Sequence, residues 1–525
     1  MNLSRSSSEG TSISEDVPTK STTHIETIPP AFPGRARTLV LCFDGTGDQV
    51  GIDNTNVVEI KDMLVVSEEE QLVYYQKGIG TYTPKIPGVR ERVKIPGISY
   101  ISQKWDQAVA WSLDARVIEA YLWLVDNYRH GDKICMFGFS RGSYTARAVA
   151  GMLFKVGLLP KAHREKAQAA FESYKDAKTA TSWKASKAFQ RTWGSIDVPI
   201  MFLGCWDTVN SVGYLTTKSL PFTAINPMVR NFRHAISMDE RRVKFRTNLW
   251  SPYMKTSPRI GSRSPHMNPR EKMIQSFSEA KSKRMPPTDV SEVWFSGCHC
   301  DVGVPNEIRP NLAHISLRWM IRQCFQRNTG IMFRKDKLMV FHLDPDALHP
   351  VVKPRPPAIE SQSKQIQPPI GLGPISRVKG WLSYFNPFGS RKYEPEPTPI
   401  AANEEDADAL DALAPVYDML DIKPLLWLPF EKMPIETYNP VLNKRAKEVF
   451  DKRPRIMRAP RFFDIATKKV ADGRLKVHRT VMTRMKAQHI DGSPYVPKAL
   501  LPDMKPISLS NVRFNGDHPH FDWVD

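Results

Sequence analysis

Residues 138–142, Gly138-Phe139-Ser140-Arg141-Gly142, form a G-x-S-x-G pentapeptide, a pattern that can present a serine hydroxyl to an acyl carbon. An apolar run, Ile134 to Phe139, leads into it and reads as a buried strand. Behind it, Tyr144, Ala148 and Met152 recur at helical spacing. A strand that turns sharply into a helix holds its turn residue strained and exposed. Gly138 and Gly142 are required there because a Cβ would strike the neighbouring chain. In that geometry Ser140 Oγ is the nucleophile and the Arg141 N–H points at a developing oxyanion. The pentapeptide alone is weak, since an ordinary tight strand-to-helix turn can carry it; the flanking strand and helix favour the elbow.

A nucleophilic serine needs a base, and the base needs a group that orients it. Asp207 follows the apolar run Val198 to Leu203 through Gly204-Cys205-Trp206. An acid just past a strand end belongs in such a site, although a helix N-cap reads the same way. His299 follows the strand Val293 to Phe295, within Gly297-Cys298-His299-Cys300-Asp301-Val302-Gly303. Cys298, His299 and Cys300 also raise a metal. Adjacent ligands in one strand point to alternate faces, and no second C-x-x-C or H-x-x-x-H completes a tetrahedral set. Neither a metal nor a cofactor is expected. Ser140, Asp207 and His299 then fall in the chain order Ser…Asp…His of α/β-hydrolases. His478, in Val477-His478-Arg479, is the competing base.

The strand Leu39 to Phe43 ends in Asp44-Gly45-Thr46-Gly47. A phosphate cradle would need G-x-G-x-x-G or a Gly-Lys-Ser/Thr, and neither is present. The loop instead offers the backbone N–H of Gly45 or Thr46 as a second oxyanion donor.

These residues need a scaffold. A strand and turn, Val73 to Tyr75 and then Gly78 to Thr81, follow the first loop. From Val109 to Tyr128 apolar residues recur at helical spacing, and 161 to 193 reads as a Lys-rich helical segment. Leu312 to Cys324 reads as a helix covering the sheet. The expected fold is α/β, an α/β-hydrolase-like, mostly parallel sheet with helices on both faces and long insertions. Residues 1–36 are Ser/Thr-rich and expected to be a disordered tail. Residues 37–345 form the catalytic domain, 353–402 a Pro-rich linker, and 403–525 a C-terminal region packing on the core.

The 525 residues carry a net charge of +19, so an anionic partner has to be considered. The basic stretch 255–288, with Arg259, Arg263, Lys281, Lys283 and Arg284, reads as a mobile insertion between the acid and base motifs. Arg377 to Phe388 interleaves basic and aromatic residues. Either stretch suits an anionic membrane surface, and either can also be a solvated loop or a plug on the core. No nucleic acid partner is expected, and the oligomeric state is open. The six cysteines show no disulfide-like spacing, which points to a reducing, intracellular and cytoplasmic setting. The start of the sequence has no apolar signal-like core, and nowhere do about 18 apolar residues run together.

Four stretches in order resemble one known family: CFDGTGDQ with Thr55-Asn56-Val57, GFSRGSYTARAVAGML, FLGCWDTVNSVG, and EVWFSGCHCDVG followed by LAHISLRWMI. They are similar to an uncharacterised group of fungal α/β-hydrolases akin to the catalytic domain of bacterial type VI secretion phospholipase effectors. The resemblance covers roughly residues 37 to 330, with a weaker echo near 424 to 500. It implies a Ser-Asp-His hydrolase acting on carboxylic esters, with phospholipids as the substrates of the bacterial relatives. Carried residue by residue, Ser140 is the nucleophile, Asp207 the acid and His299 the base. The chain departs at Val304-Pro305 and Val109-Ala110-Trp111-Ser112, where relatives are richer in glycine. The alternative is a protein of the same fold that binds or scaffolds with little turnover.

Overall fold

The computed structural model describes residues 26–31, 34–45, 54–78, 98–176, 180–209, 220–250, 286–305, 310–359, 364–367, 401–422, 431, 435–439, 444–448, 454–464, 469–508 and 521–525. Residues 1–25, Thr46, the turn residues Ile79 to Thr81, most of 255–288, Arg377 to Phe388 and most of Pro424 to Pro434 lie outside these.

Fourteen strands are described: β1 Thr27–Ile28, β2 Thr38–Phe43, β3 Gln71–Gln76, β4 Lys133–Phe139, β5 Ile200–Trp206, β6 Val229–Ser237, β7 Asp289–Phe295, β8 Phe333–Arg334, β9 Ile435–Asn439, β10 Lys444–Glu448, β11 Arg461–Asp464, β12 Lys469–Asp472, β13 Leu475–His478 and β14 Phe521–Val524. Eight of them form one sheet in the order β14-β13-β7-β6-β5-β4-β2-β3, and each neighbouring pair is parallel. A parallel sheet with both faces covered needs apolar residues on both sides of each strand. The runs TLVLCF, KICMFGF and IMFLGCW meet that demand. Leu39, Leu41, Ile134 and Met136 pack on one face with the helices Ile98–Asn127, Arg141–Val156 and Ala167–Lys175. Val40, Cys42, Cys135 and Phe137 pack on the other with Asn56–Met63 and Leu312–Gln326. Each large side chain so buried contributes about 1.5–3 kcal/mol.

After β2 the chain places β3 on one side and β4 on the other. The chain order therefore reverses between β2 and β4, the point at which open α/β sheets place their ligands. Asp44-Gly45 follows β2 there and Ser140 follows β4.

Several expectations are corrected. Part of the expected N-terminal tail is ordered, because Thr27 and Ile28 pair with Arg334 and Phe333. No strand is expected from sequence at Val229–Ser237, which is the central strand β6, because Arg233 and His234 within it are polar. Arg233 is fully buried because Asp289 and Gln323 take its guanidinium at 2.9 and 2.5 Å. The helical segment 161–193 is broken into Lys161–Lys166, Ala167–Lys175 and Ala180–Trp193. The start of the Pro-rich linker docks: the Arg355 side chain is buried against Glu405 and Asp408 at 2.9 and 2.8 Å. The C-terminal region does more than pack on the core, since β13 and β14 extend the sheet itself. No described helix is long and apolar enough to cross a membrane.

Candidate active site

Ser140 sits between β4 and the helix Arg141–Val156 with φ 55° and ψ −120°, a conformation that L-residues adopt only under constraint. Its N–H donates to the Trp206 carbonyl at 2.9 Å, and Ser143 Oγ donates to the carbonyls of Gly138 and Trp206. A Cβ on Gly138 would strike the Ser143 backbone, and one on Gly142 the carbonyls of Phe43 and Asp44. The two glycines thus let the elbow close against β2.

Asp207 follows β5 with φ 38°, its N–H donating to the Ala235 carbonyl at 2.7 Å. It is fully buried. Burial alone would raise its carboxyl, yet the Arg455 charge and the His299 hydrogen bond outweigh it and hold it far below the usual carboxylate range.

His299 opens the short helix His299–Gly303 and does not continue β7. The loop before it turns at Gly297, where φ is 101°. Asp301 caps that helix by accepting the Cys298 N–H at 2.8 Å. His299 Nδ1 lies 2.6 Å from Asp207 Oδ2, and Nε2 lies 2.8 Å from Ser140 Oγ. With Asp207 ionised, Nδ1 carries the proton and Nε2 is left to accept the serine hydroxyl. Phe139 stacks on the ring, Phe245 meets it edge-on, and Glu240 accepts the His299 backbone N–H at 3.2 Å.

The structure thus brings Ser140, Asp207 and His299 together, and Arg141 is the first residue of the helix behind them. Gly45 is less free than expected. Its N–H donates to the Asp44 carboxylate at 2.7 Å, which also accepts Thr55 and Tyr75 hydroxyls at 2.6 and 2.7 Å. His478 is not with these residues: it stacks on Phe295 and bonds Thr480 Oγ1 at 2.9 Å. Burial pushes its imidazole down to about 3, so it stays neutral. Cys298 and Cys300 flank His299 at a helix start, and both ring nitrogens of His299 are already engaged.

Sequence reasoning missed Arg455, whose Nη1 donates to Asp207 Oδ1 at 2.6 Å and whose Nη2 donates to Oδ2 at 3.0 Å. The two residues are 248 apart in sequence, so no local pattern could have linked them. Glu240 was missed as well, although a carboxylate two residues before Arg242 is a local pair.

A family model described as the catalytic domain of Tle1-like phospholipase effectors of the type VI secretion system matches residues 37–323, more than half of the chain. The chain is similar to uncharacterized protein YEL023C of Saccharomyces cerevisiae, at 36% identity over 236 residues, 43% of this chain and 34% of that protein. It therefore spans about a third of the length of that curated relative. Among solved structures, it is similar to an uncharacterized protein from Pseudomonas aeruginosa at 16% identity and TM-score 0.29, covering 57% of this chain and 46% of that one. It is also similar to the Tle1 effector bound to the VgrG spike, at 16% identity and TM-score 0.23, covering 54% and 55%.

Proposed function

This chain belongs to the Tle1-like phospholipase catalytic-domain family, and on that premise we propose that it is a serine hydrolase of lipid carboxylic esters. The observation that carries the reading is the continuous array from Asp207 through His299 to Ser140, at 2.6 and 2.8 Å, on the carboxyl edge of a parallel sheet.

Ser140 Oγ attacks the ester carbonyl carbon while His299 Nε2 takes the hydroxyl proton. The charge that develops on the carbonyl oxygen faces the Arg141 N–H at the positive end of its helix. Gly45 serves as second donor only by releasing Asp44. The tetrahedral adduct collapses, the C–O bond to the leaving alcohol breaks, and His299 returns its proton to that oxygen. Water, deprotonated by His299, then attacks the acyl-serine; the bond from the acyl carbon to Ser140 Oγ breaks, His299 returns its proton to Oγ, and the fatty acid leaves. Asp207 stays ionised throughout and stabilises the imidazolium.

The substrate class calls for a lipid surface. The basic residues of 255–288 and the aromatics of Arg377 to Phe388 are proposed to meet an anionic one, each Lys or Arg contributing about 1 kcal/mol near it.

The test is labelling with a fluorophosphonate probe together with fatty-acid release from neutral and anionic phospholipid vesicles. Ser140→Ala is expected to abolish both, a loss on the order of 10⁶ in turnover. An unlabelled wild type, or labelling that survives in Ser140→Ala, removes the hydrolase reading. Equal release from both vesicle types removes the anionic surface alone.

A further inference from the structure

Beyond residues 37–323, the chain returns to the site at one guanidinium. Arg455 is 9% exposed and spans both oxygens of Asp207. Its Nη1 also donates to the Ser237 carbonyl and hydroxyl at 3.0 and 2.8 Å, and Nη2 donates to the Phe245 carbonyl. Ser237 adds two more donors to Asp207, its N–H to Oδ1 and its hydroxyl to Oδ2, each at 3.1 Å. Orienting His299 requires only Oδ2, so the second half of this fork serves something else.

A fully buried carboxylate beside a neutral imidazole is costly unless a cation answers it. Without one, the cheapest remedy is to draw a proton onto the imidazole, and an imidazolium cannot act as a base. Resting on the serine-hydrolase reading, we propose that Arg455 is a positioning residue: its charge and fork hold the Asp207 carboxylate in one orientation against Nδ1, so that Nε2 stays aimed at the Ser140 hydroxyl. The charged groups around the pair fit this. Glu240, at the His299 backbone N–H, is answered by Arg242 at 2.9 Å. His234, on the neighbouring strand β6, bonds Glu292 at 3.0 Å and accepts the Thr208 N–H. After the burial penalty, the Arg455 charge is the strongest influence on the Asp207 carboxyl. A segment outside the family-matched residues thus completes the site.

The experiment measures the rate of fluorophosphonate labelling of the full chain from about pH 5 to about pH 9, with thermal unfolding as the check on folding. Arg455→Met removes charge and fork. Its acid limb is expected to move to higher pH by about 1 unit, the size of effect a charge at this range exerts. Its plateau rate is expected to fall roughly tenfold. Arg455→Lys keeps the charge and loses the fork: the acid limb stays with wild type while the plateau falls a few-fold. A folded Arg455→Met whose profile overlays wild type overturns the proposal. So does an Arg455→Lys limb displaced as far as that of Arg455→Met. If Arg455→Met does not fold, Arg455→Lys decides alone, and a displaced limb or an undiminished plateau overturns the proposal. Failure of wild type to label through Ser140 sinks the hydrolase reading instead, and is distinguishable from all of these.

Discussion

Phe139 lies on His299 with ring centroids 4.8 Å apart and planes 27° from parallel. The same phenyl ring occupies the space that a Cβ on Gly45 or on Gly303 would need. One aromatic, the second residue of the pentapeptide, therefore wedges the first loop, the His299 helix and the imidazole together. Gly303→Ala is expected to destabilise the protein by about 1–3 kcal/mol through overpacking. In a Phe139→Leu background the same substitution should cost less, because a smaller, more adaptable side chain yields the space. Urea unfolding of the four proteins gives the coupling, and purely additive costs would mean that the ring is not what excludes the Cβ.

His299 and His478 differ in surroundings, and their substitutions should separate cleanly. His299→Ala is expected to reduce labelling nearly as far as Ser140→Ala, since members of such an array act as a unit. His478→Gln loses the stacking on Phe295 and lowers stability, but the labelling rate per folded molecule should hold. The reverse outcome would transfer the role of base to the C-terminal region.

Asp301 makes stability fall as pH rises. Burial pushes its carboxyl up to about 7 despite N–H donors from Cys298 and Tyr417 and the nearby Arg484 charge. The fold thus favours the protonated form over the unfolded chain, whose carboxyl titrates near 4. That contribution is complete below about pH 4 and is lost as pH climbs to about 7. Relative to Asp301→Asn, wild type should lose a few kcal/mol across this window. Thermal unfolding of both proteins between about pH 4 and about pH 7 checks it; a stability difference independent of pH would refute the titration.

Arg318 ties the acidic helix Glu404–Asp411 to the sheet-covering helix Leu312–Gln326. It reaches Asp408 at 2.6 Å and Asp411 at 2.7 Å, all three buried. Arg318→Met leaves Asp411 without its cation and Asp408 with Arg355 alone, and is expected to cost about 3 kcal/mol. The Arg164–Asp126 pair, at 2.9 Å with side chains 53% and 31% exposed, should tolerate Arg164→Ala at under about 1 kcal/mol. Equal urea midpoints for the two variants would contradict the role assigned to burial.

Much of this architecture was legible in sequence for one physical reason. In a parallel sheet covered on both faces, strands are short apolar runs and chemistry gathers where they end. Ile134 to Phe139 announced β4, and Ser140, Asp207 and His299 could each be found by looking just past such a run. Strand β6 escaped because Arg233 and His234 are polar, and their partners Asp289 and Glu292 lie far along the chain. The acidic run 403–413 was expected to pack on the core, but its own residues gave no sign of which partners would hold it there. Arg318, Arg322 and Arg355 supply the attraction.

By itself, then, the sequence determined the elbow. Gly138, Ser140 and Gly142 lie within five residues, and the backbone strain they relieve is local. It also determined which strand ends carry an acid and a histidine, because apolar periodicity is written in neighbouring residues. Only the tertiary structure decided which histidine meets Ser140, that Gly45 donates first to Asp44, and that Arg455 answers the charge of Asp207. Those outcomes depend on distances across the sheet and on desolvation, and neither exists until the chain has folded.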